Sequence, residues 1–274
     1  MKKFTKFGLV ALLILGLTFA LVGCGGKTDD TKKDASTDTT KKEEKKALKV
    51  ATEAAYAPFE YKDKDGKIIG FDAEYVDAVA KAAGFSGAEL THVAWDGLIP
   101  ALNQGTYDAV ISAMTITDER KKSTLFSDPY LNIVQAVAVK EGSTIKTLDD
   151  LKGKKIGVQN NTTGHYWAAK MYNVKPEENF DKIKKFDTTP DALEALKTGA
   201  VEAVVADRPV VLAYIKENPT SKLTKVDSDK FEKEFYGIAM KSGNTELATK
   251  INEGIKKVKE DGTYDKLSKK YFPE

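Results

Sequence analysis

The chain has 274 residues, which suits two domains better than one small domain. It is 41% hydrophobic and 31% charged, an ordinary composition for a globular protein, and residues 48–274 hold 33 basic and 35 acidic side chains. That balance excludes nucleic acid as a partner. The single cysteine, Cys24, excludes an intramolecular disulfide and a thiolate metal site.

The beginning of the chain has the pattern of an export signal. Lysines at positions 2, 3 and 6 precede an apolar run from Phe7 to Val22, which is short and favours a cleaved signal peptide over a membrane-spanning helix. The run ends in Leu21-Val22-Gly23-Cys24, which resembles the lipobox of bacterial lipoproteins. The resemblance implies a signal peptide at residues 1–23 and a lipid on Cys24. The alternative is a simple cleaved signal with an incidental cysteine.

Residues 24–47 are predicted to hold the lipidated cysteine and a disordered tether. They are mostly Gly, Lys, Asp, Thr and Glu, with almost no apolar side chains. The root-mean-square length of such a tether is about 25 Å, which would let a folded domain stand off a membrane. Its lysine-rich composition resembles that of Gram-positive lipoproteins. We therefore expect an extracytoplasmic protein, anchored through lipid to the outer face of the cell membrane.

From residue 48 onward, β-rich runs alternate with helical patterns, which predicts an α/β protein with mostly parallel sheets. The predicted strands cover residues 48–52, 90–95, 107–113, 133–139, 155–159, 184–186, 201–206 and 235–240. The predicted helices cover residues 72–83, 98–102, 190–197, 209–216, 245–260 and 264–271, and another begins at Thr163. On that helix we interpret His165 as a surface residue and Trp167 as a packing residue.

Sequence signatures of catalysis and of metal binding are absent. The chain has two histidines, His92 and His165, but no His-x₃-His or cysteine cluster, no Gly-x-Ser-x-Gly elbow and no phosphate-binding loop. We therefore predict no metal, no cofactor and no catalytic residue.

Six segments, taken in order, resemble family 3 of the bacterial extracellular solute-binding proteins, the amino-acid-binding lipoproteins of ABC importers. They are residues 52–60 (TEAAYAPFE), 70–72 (GFD), 95–102 (WDGLIPAL), 115–120 (TITDER), 157–163 (GVQNNTT) and 203–207 (AVVAD). Each motif alone is weak, but together they cover essentially all of residues 48–274.

The resemblance implies an α/β fold of the type II periplasmic-binding-protein class, a two-lobed Venus flytrap with two hinge strands. Lobe 1 would comprise residues 48–132 plus 235–274, and lobe 2 would comprise residues 133–234. A monomer of this kind captures a free L-amino acid in the cleft between the lobes. It delivers the amino acid to an ABC import permease, whose ATPase is a separate chain.

An amino-acid zwitterion needs a partner for each charged end, because both ends lose water in a closed cleft. Arg120 is one of only two arginines, and its guanidinium can hold a carboxylate through two parallel N–H bonds. The resemblance implies that it binds the ligand α-carboxylate, helped by the Thr115 and Thr163 amides and by a helix N-terminus beginning at Thr162 or Thr163. The alternatives are a surface arginine and simple helix capping.

The ligand ammonium would bind Asp207, which ends a predicted strand. The resemblance adds the carbonyl of Ala113, and Met114 belongs to the same binding segment. The alternative for Asp207 is capping of the next helix, since a proline follows two residues later.

Four further residues are predicted to contact the ligand side chain. The resemblance implies that Tyr56 and Trp95 are flat aromatic walls around it, with core packing as the alternative for Trp95. Glu53 would pair with a guanidinium, an ammonium or an amide, and Gln159 is a second candidate reader. The ligand therefore stays open among arginine, lysine, histidine and glutamine.

Two other functions remain open at this point. Some proteins on the fold that the resemblance implies act as cyclohexadienyl dehydratases and use an acid in the cleft, a role that Glu53 could serve. A ligand-sensing module is the other alternative, although it would need a partner to pass on a signal.

Overall fold

The computed structural model describes residues 45–273. The predicted signal peptide, Cys24 and residues 24–44 of the predicted tether lie outside the described residues. The strands are β1 Leu48–Thr52, β2 Ala55–Tyr56, β3 Glu60–Lys62, β4 Ile68–Ile69, β5 Ala88–His92, β6 Ala109–Val110, β7 Thr124–Phe126, β8 Leu131–Ile133, β9 Gln135–Lys140, β10 Ile156–Gln159, β11 Ile183–Phe186, β12 Ala203–Asp207, β13 Leu223–Val226, β14 Glu234–Tyr236 and β15 Ala239–Lys241.

Eight α-helices and three short 3₁₀ helices complete the described part of the chain. The α-helices are α1 Phe71–Ala82, α2 Leu98–Gln104, α3 Asp118–Lys121, α4 Thr163–Tyr172, α5 Thr189–Thr198, α6 Arg208–Glu217, α7 Thr245–Glu260 and α8 Thr263–Tyr271. The 3₁₀ helices cover Trp95–Gly97, Leu148–Leu151 and Pro219–Ser221. None of the helices described for residues 45–273 combines the length and the apolar character needed to cross a membrane.

Two five-stranded sheets form the centres of the two lobes. The first has the order β5-β1-β6-β15-β7 and the second the order β11-β10-β12-β9-β13. In each sheet the first two pairings are parallel and the last two are antiparallel. The prediction of mostly parallel sheets is therefore wrong, because β9 and β15 each enter their sheet from the other lobe and run against their neighbours.

The chain crosses between the two sheets twice. It leaves the first sheet through β8 and returns through β14, and these two strands pair with each other in antiparallel register. The predicted two-lobed α/β fold with two hinge strands is thus confirmed. The residue boundaries proposed for the two lobes stay a prediction.

Each sheet has a core of its own. In the first lobe α1 packs against α7, where Val79 and Ile251 are fully buried. The two helices approach closely at Gly254, because a Cβ added there would lie 2.6 Å from the Val79 carbonyl oxygen. In the second lobe Val158 and Val205 pack beneath α4, and Leu193 of α5 packs on the opposite face. Each lobe therefore holds its part of the cleft on a rigid base.

Three predicted strands differ from the observed ones in ways that matter for the site. The strand predicted at 90–95 ends at His92, and Trp95 instead begins a 3₁₀ helix. The strand predicted at 107–113 is reduced to β6, because the chain turns at Ala113, which has a φ of 43°. The strand predicted at 235–240 divides into β14, a hinge strand, and β15, a sheet strand.

Candidate functional site

A single pocket between the two lobes gathers most of the residues predicted for ligand binding. Its lining consists of Glu53, Tyr56, Trp95, Ser112, Ala113, Thr115, Arg120, Gln135, Gln159, Thr162, Thr163, Gly164, Thr189, Val205, Ala206 and Asp207. Ten of the eleven predicted residues are among them. Met114 is the exception, because its side chain is buried in the core with Leu98 and Leu102.

Arg120 is held in the pocket by a short helix and by two carbonyl groups. Thr117 caps α3, and its hydroxyl accepts the Arg120 N–H at 3.2 Å. The guanidinium donates to the Thr115 carbonyl at 2.8 Å and to the Asn161 carbonyl at 3.3 Å. It also lies 5.0 Å from the centre of the Trp95 ring. The side chain is 9% exposed, which disagrees with the alternative of a surface arginine.

Among the described residues, no carboxylate is in direct contact with the Arg120 guanidinium. Burial lowers the pKa of Arg120, but a guanidinium stays charged in proteins. Both of its hydrogen bonds go to neutral carbonyl oxygens. The site therefore presents a positive group whose bidentate capacity is available to an anion.

A helix N-terminus lies next to this cation. Thr162 caps α4, and its hydroxyl accepts the His165 N–H at 3.2 Å. The amides of Thr163 and Gly164, in the first turn, have no acceptor within the helix itself. Gly164 is needed here because a Cβ would lie 2.9 Å from the Val205 carbonyl oxygen. These amides and Arg120 together form a site suited to a carboxylate.

Asp207 supplies the opposite charge. It ends β12 and is 6% exposed. Its carboxylate accepts hydrogen bonds from the Tyr236 hydroxyl and from Gln135 Nε2, the latter at 2.5 Å. Burial, assisted by the negative charge of Glu234, raises the pKa of Asp207 to about 6. The side chain makes no capping bond to α6, so the alternative of a simple helix cap is not what the geometry favours.

Glu53 is a second buried acid, and Gln159 fixes its position. Gln159 Nε2 donates to Glu53 Oε2 at 3.1 Å and to the Asp187 carbonyl at 3.0 Å, while Gln159 Oε1 accepts from the Thr189 hydroxyl at 2.8 Å. Glu53 is 3% exposed. Burial raises the pKa of Glu53 to about 7, although the bond from Gln159 opposes the rise. The nearby charges of Asp191 and Asp96 add to it.

The predicted aromatic pair lies at the wall of the pocket. Trp95 donates its indole N–H to the Asn161 carbonyl at 3.3 Å. Tyr56 packs against Phe59, with 6.2 Å between ring centres, so it belongs both to the lobe 1 core and to the pocket wall. Both residues therefore form part of the surface that a ligand in the pocket would meet.

Hydrogen bonds across the cleft hold the lobes in a closed arrangement. Asp96 of lobe 1 accepts from the side-chain amides of Asn160 at 3.1 Å and Asn161 at 2.8 Å. Glu53 with Gln159 and Arg120 with Asn161 are two further links between the lobes. Closure thus uses some of the same side chains that line the pocket.

A family model described as bacterial extracellular solute-binding proteins, family 3, matches residues 48–274. The chain belongs to this family. The family predicted from the six motifs is thereby confirmed.

Relatives of this family 3 solute-binding protein are similar over nearly their full length. The probable histidine-binding protein of Neisseria gonorrhoeae is 38% identical over 265 residues, 96% of this chain and 94% of that one. The arginine-binding extracellular protein ArtP of Bacillus subtilis is 34% identical over 267 residues, 97% and 98% of the two chains. The crystal structure of the arginine-, lysine-, histidine-binding protein ArtJ from Geobacillus stearothermophilus is 45% identical, with a TM-score of 0.78, covering 84% of this chain and 96% of that one.

Several pocket residues of this solute-binding protein were missed in the sequence. Gln135, at the start of β9, is 2% exposed and also donates to Thr163 Oγ1 at 3.3 Å and to Glu234 Oε1 at 3.1 Å. Its signal was a lone amide at the head of an apolar strand, QAVAV. Ser112 and Thr189 carry no comparable signal, because short hydroxyl side chains are common at strand and helix ends.

The interpretations of His165 and Trp167, both on α4, had different outcomes. The interpretation of His165 as a surface residue is wrong, since it is 1% exposed and its Nδ1 accepts the Asn161 N–H at 3.2 Å. Burial lowers the pKa of His165, which suits this neutral acceptor role. Trp167 packs against Phe231 with 5.0 Å between ring centres, so its interpretation as a packing residue is confirmed. Over residues 45–273, no group of three or more His, Cys, Asp or Glu side chains is arranged to hold a metal ion.

Proposed function

We propose that this family 3 solute-binding protein captures a basic L-amino acid, foremost L-arginine, and delivers it to an ABC import permease with a separate ATPase chain. The observation that carries the proposal is the set of three buried charged side chains in one pocket. Arg120 is cationic, whereas Asp207 and Glu53 are acids. We assign no chemical step to the pocket, and the capture itself is its function.

The first two charges match the two ends of any amino acid. A bound α-carboxylate would pair with Arg120 and with the amides at the start of α4. A bound α-ammonium would pair with Asp207. Because both ligand groups lose water in a closed cleft, each needs such a partner for binding to be favourable.

The third charge selects a basic side chain. Once a zwitterion has paired with Arg120 and Asp207, the Gln159 amide is the one direct partner of the Glu53 carboxylate in the described part of the chain. A guanidinium or ammonium on the ligand would supply the missing positive charge, and the Trp95 face suits a flat guanidinium. The arginine-binding name of ArtP and the arginine-, lysine-, histidine-binding name of ArtJ support this choice.

A binding experiment with matched ligands tests the proposal. The purified protein, unfolded and refolded to remove carried-over ligand, is titrated calorimetrically with L-arginine, L-lysine, L-histidine and L-glutamine. Agmatine, which keeps the guanidinium but lacks the carboxylate, and D-arginine serve as controls. We expect L-arginine to bind, and at a hundred times its Kd to stabilise the fold by about 2.7 kcal/mol, with both controls far weaker. Absence of binding by all four L-amino acids would exclude the proposal.

We further propose that the protein is a lipid-anchored monomer on the outer face of the membrane of a Gram-positive cell. The lipobox-like segment ending in Cys24 and the lysine-rich tether support this location. Metabolic labelling with an alkyne fatty acid checks it. Label on the wild type but not on Cys24→Ser, with the variant released from the membrane fraction, is the expected result.

A further inference from the structure

Behind the ligand site, two carboxyl groups face each other without access to water. Glu60 of β3 and Asp72 of α1 are both 0% exposed. Each has one oxygen, Glu60 Oε2 and Asp72 Oδ1, that accepts no hydrogen bond from an amide, hydroxyl or cationic group of the residues described. The remaining partner for these two oxygens is the other carboxyl group, and a hydrogen bond between Glu60 and Asp72 acts on the pKa of both. Two ionised carboxylates cannot do this, so the contact requires one proton between them.

The surroundings decide which carboxyl group carries that proton. Asp72 lies in the first turn of α1, where the helix dipole favours a negative charge. Its Oδ2 accepts the Ala113 N–H at 2.7 Å and the Tyr130 hydroxyl at 2.8 Å. Glu60 accepts one bond, from the Ser112 hydroxyl at 3.0 Å, and burial beside the Asp72 charge raises the pKa of Glu60 well above its ordinary value. Asp72 is therefore the carboxylate and Glu60 the donor.

This pair is connected to three residues of the pocket wall. Ser112, which donates to Glu60, also accepts the backbone N–H of Glu53 at 3.0 Å. Ala113 has a left-handed backbone with a φ of 43°, which is unfavourable for any residue with a Cβ. Its N–H to Asp72 is the hydrogen bond that holds this turn against the core. The shape of the wall at Glu53, Ser112 and Ala113 thus depends on one buried network.

We infer that Glu60 and Asp72 are positioning residues for ligand binding, which through a single shared proton hold Ser112 and Ala113 in the conformation that the ligand requires. The inference rests on the proposed function, because the Ala113 carbonyl is the group assigned to the ligand ammonium.

Within residues 45–273, no cation takes the place of the proton. The titratable side chains that face the pair are Tyr56, Tyr75, Tyr130 and Glu53, and none of these four is positively charged. Glu53 and the Asp72 charge both make ionisation of Glu60 less favourable. The proton is therefore what lets the two acids occupy one buried site.

Two substitutions of Glu60 separate positioning from mere bulk. Glu60→Gln keeps the size of the side chain and an N–H donor toward Asp72, so L-arginine should bind within about threefold of wild type. Glu60→Ala leaves the Asp72 charge without its donor and should weaken L-arginine binding by at least about tenfold. Glu89→Gln, at an exposed position of β5, is the charge-matched control and should bind as wild type does. Equal weakening by Gln and Ala would overturn the inference.

The proton shared by Glu60 and Asp72 can be detected in the ligand-free protein. Folded wild type keeps the Glu60 proton, whereas the unfolded chain loses it above about pH 4.3. The free energy of unfolding of wild type therefore falls as pH rises. Glu60→Gln has no proton to lose at this position, so it lacks this pH dependence. The Tm advantage of Glu60→Gln over wild type should therefore grow from pH 5 to pH 8. An infrared difference spectrum at pH 8 should show a neutral carboxylic acid that Glu60→Gln removes. A constant Tm difference and no such band would show that the pair holds no shared proton.

These experiments also distinguish the positioning role of Glu60 and Asp72 from the proposed function. If wild type fails to bind L-arginine, the proposed function fails, while the Tm and infrared measurements still report on the pair. If wild type binds L-arginine but neither the pH-dependent Tm difference nor the infrared band is observed, only the positioning role of Glu60 and Asp72 is excluded.

Discussion

The two lobes contribute to the pocket in different ways. Lobe 2 supplies Gln159, Thr163 and Asp207 from the end of β10, the start of α4 and the end of β12, where regular structure already aims them at the cleft. Lobe 1 supplies Glu53 and Arg120 from loops and from a single helical turn, and side-chain hydrogen bonds hold those loops in place. Secondary structure thus fixes one half of the site, and buried polar networks fix the other.

The largest effect should follow from removing the lobe 1 cation. Arg120→Ala takes away the one positive side chain among the described residues that line the pocket. Truncating one member of a buried charge pair costs about 2–5 kcal/mol, roughly 30-fold to several thousand-fold in Kd. Arg120→Lys should recover only part of this, because an ammonium cannot form two parallel bonds. Isothermal titration with L-arginine measures both.

The second arginine provides the control for that change. Arg208 is half-buried and pairs with the exposed Asp227 outside the pocket lining, so Arg208→Ala should leave L-arginine binding unchanged. Near wild-type affinity in Arg120→Ala would remove Arg120 from the carboxylate site.

The next largest loss of affinity should come from neutralising Asp207, the acid that lobe 2 supplies. Asp207→Asn keeps a side chain of the same shape but loses the charge that pairs with the ligand ammonium. That charge is worth about 1.5–3 kcal/mol, or roughly 10- to 150-fold in Kd. Removing a negative charge beside Glu234 should raise the Tm of the ligand-free protein at the same time. Calorimetry and thermal unfolding check the two parts, with Asp229→Asn at an exposed position as control. A loss of affinity together with a lower Tm would indicate a structural role instead.

The same division explains what the sequence could predict. The strand–helix alternation predicted β10, β12 and α6 and the start of α4 within one or two residues, because buried apolar runs and capping residues such as Thr162 are local signals. The lobe 1 loops lack such signals. The turn at Ala113 and the buried role of Asp72 depend on contacts with residues about 40 positions away, so only the motif resemblance indicated that segment. Gln135 was missed for the same reason, since its partners lie 28 to 99 positions along the chain.

Glu53 tests whether lobe 1 selects the ligand side chain. Glu53→Gln should weaken L-arginine binding by about 1–2 kcal/mol, roughly 5- to 30-fold, and should weaken L-glutamine binding less or strengthen it. The ratio of the two Kd values is the measurement. Glu119→Gln, an exposed acid next to Arg120, is the control. An unchanged ratio would mean that Glu53 does not contact the ligand side chain.

The pKa of Glu53 adds a pH dependence to the same variant. Glu53 has a raised pKa of about 7 in the folded protein, and a cationic ligand favours its ionised form. L-arginine affinity should therefore increase as pH rises from 6 to 8, with release of a proton on binding. The same raised pKa makes ligand-free stability fall as pH rises from the unfolded value toward 7. Titration in buffers of different ionisation enthalpy should show proton release that Glu53→Gln reduces. Burial also raises the pKa of Asp207, to about 6, so Asp207 contributes to the pH dependence near pH 6. This contribution remains in Glu53→Gln.

The smallest effect should come from the rim, where the lobes touch each other without touching the ligand. Asp96 is exposed and accepts bonds from Asn160 and Asn161 across the cleft, so it stabilises the closed state by about 0.5–1 kcal/mol at most. Asp96→Ala should speed L-arginine release about two- to fivefold in stopped-flow dissociation, with the association rate unchanged. Asp65→Ala, in the turn before β4, should change neither rate. Because Asp96 stabilises closure alone, a slower association rate in Asp96→Ala would mean that the lobes must touch at the rim before the ligand is bound, and that closure precedes capture.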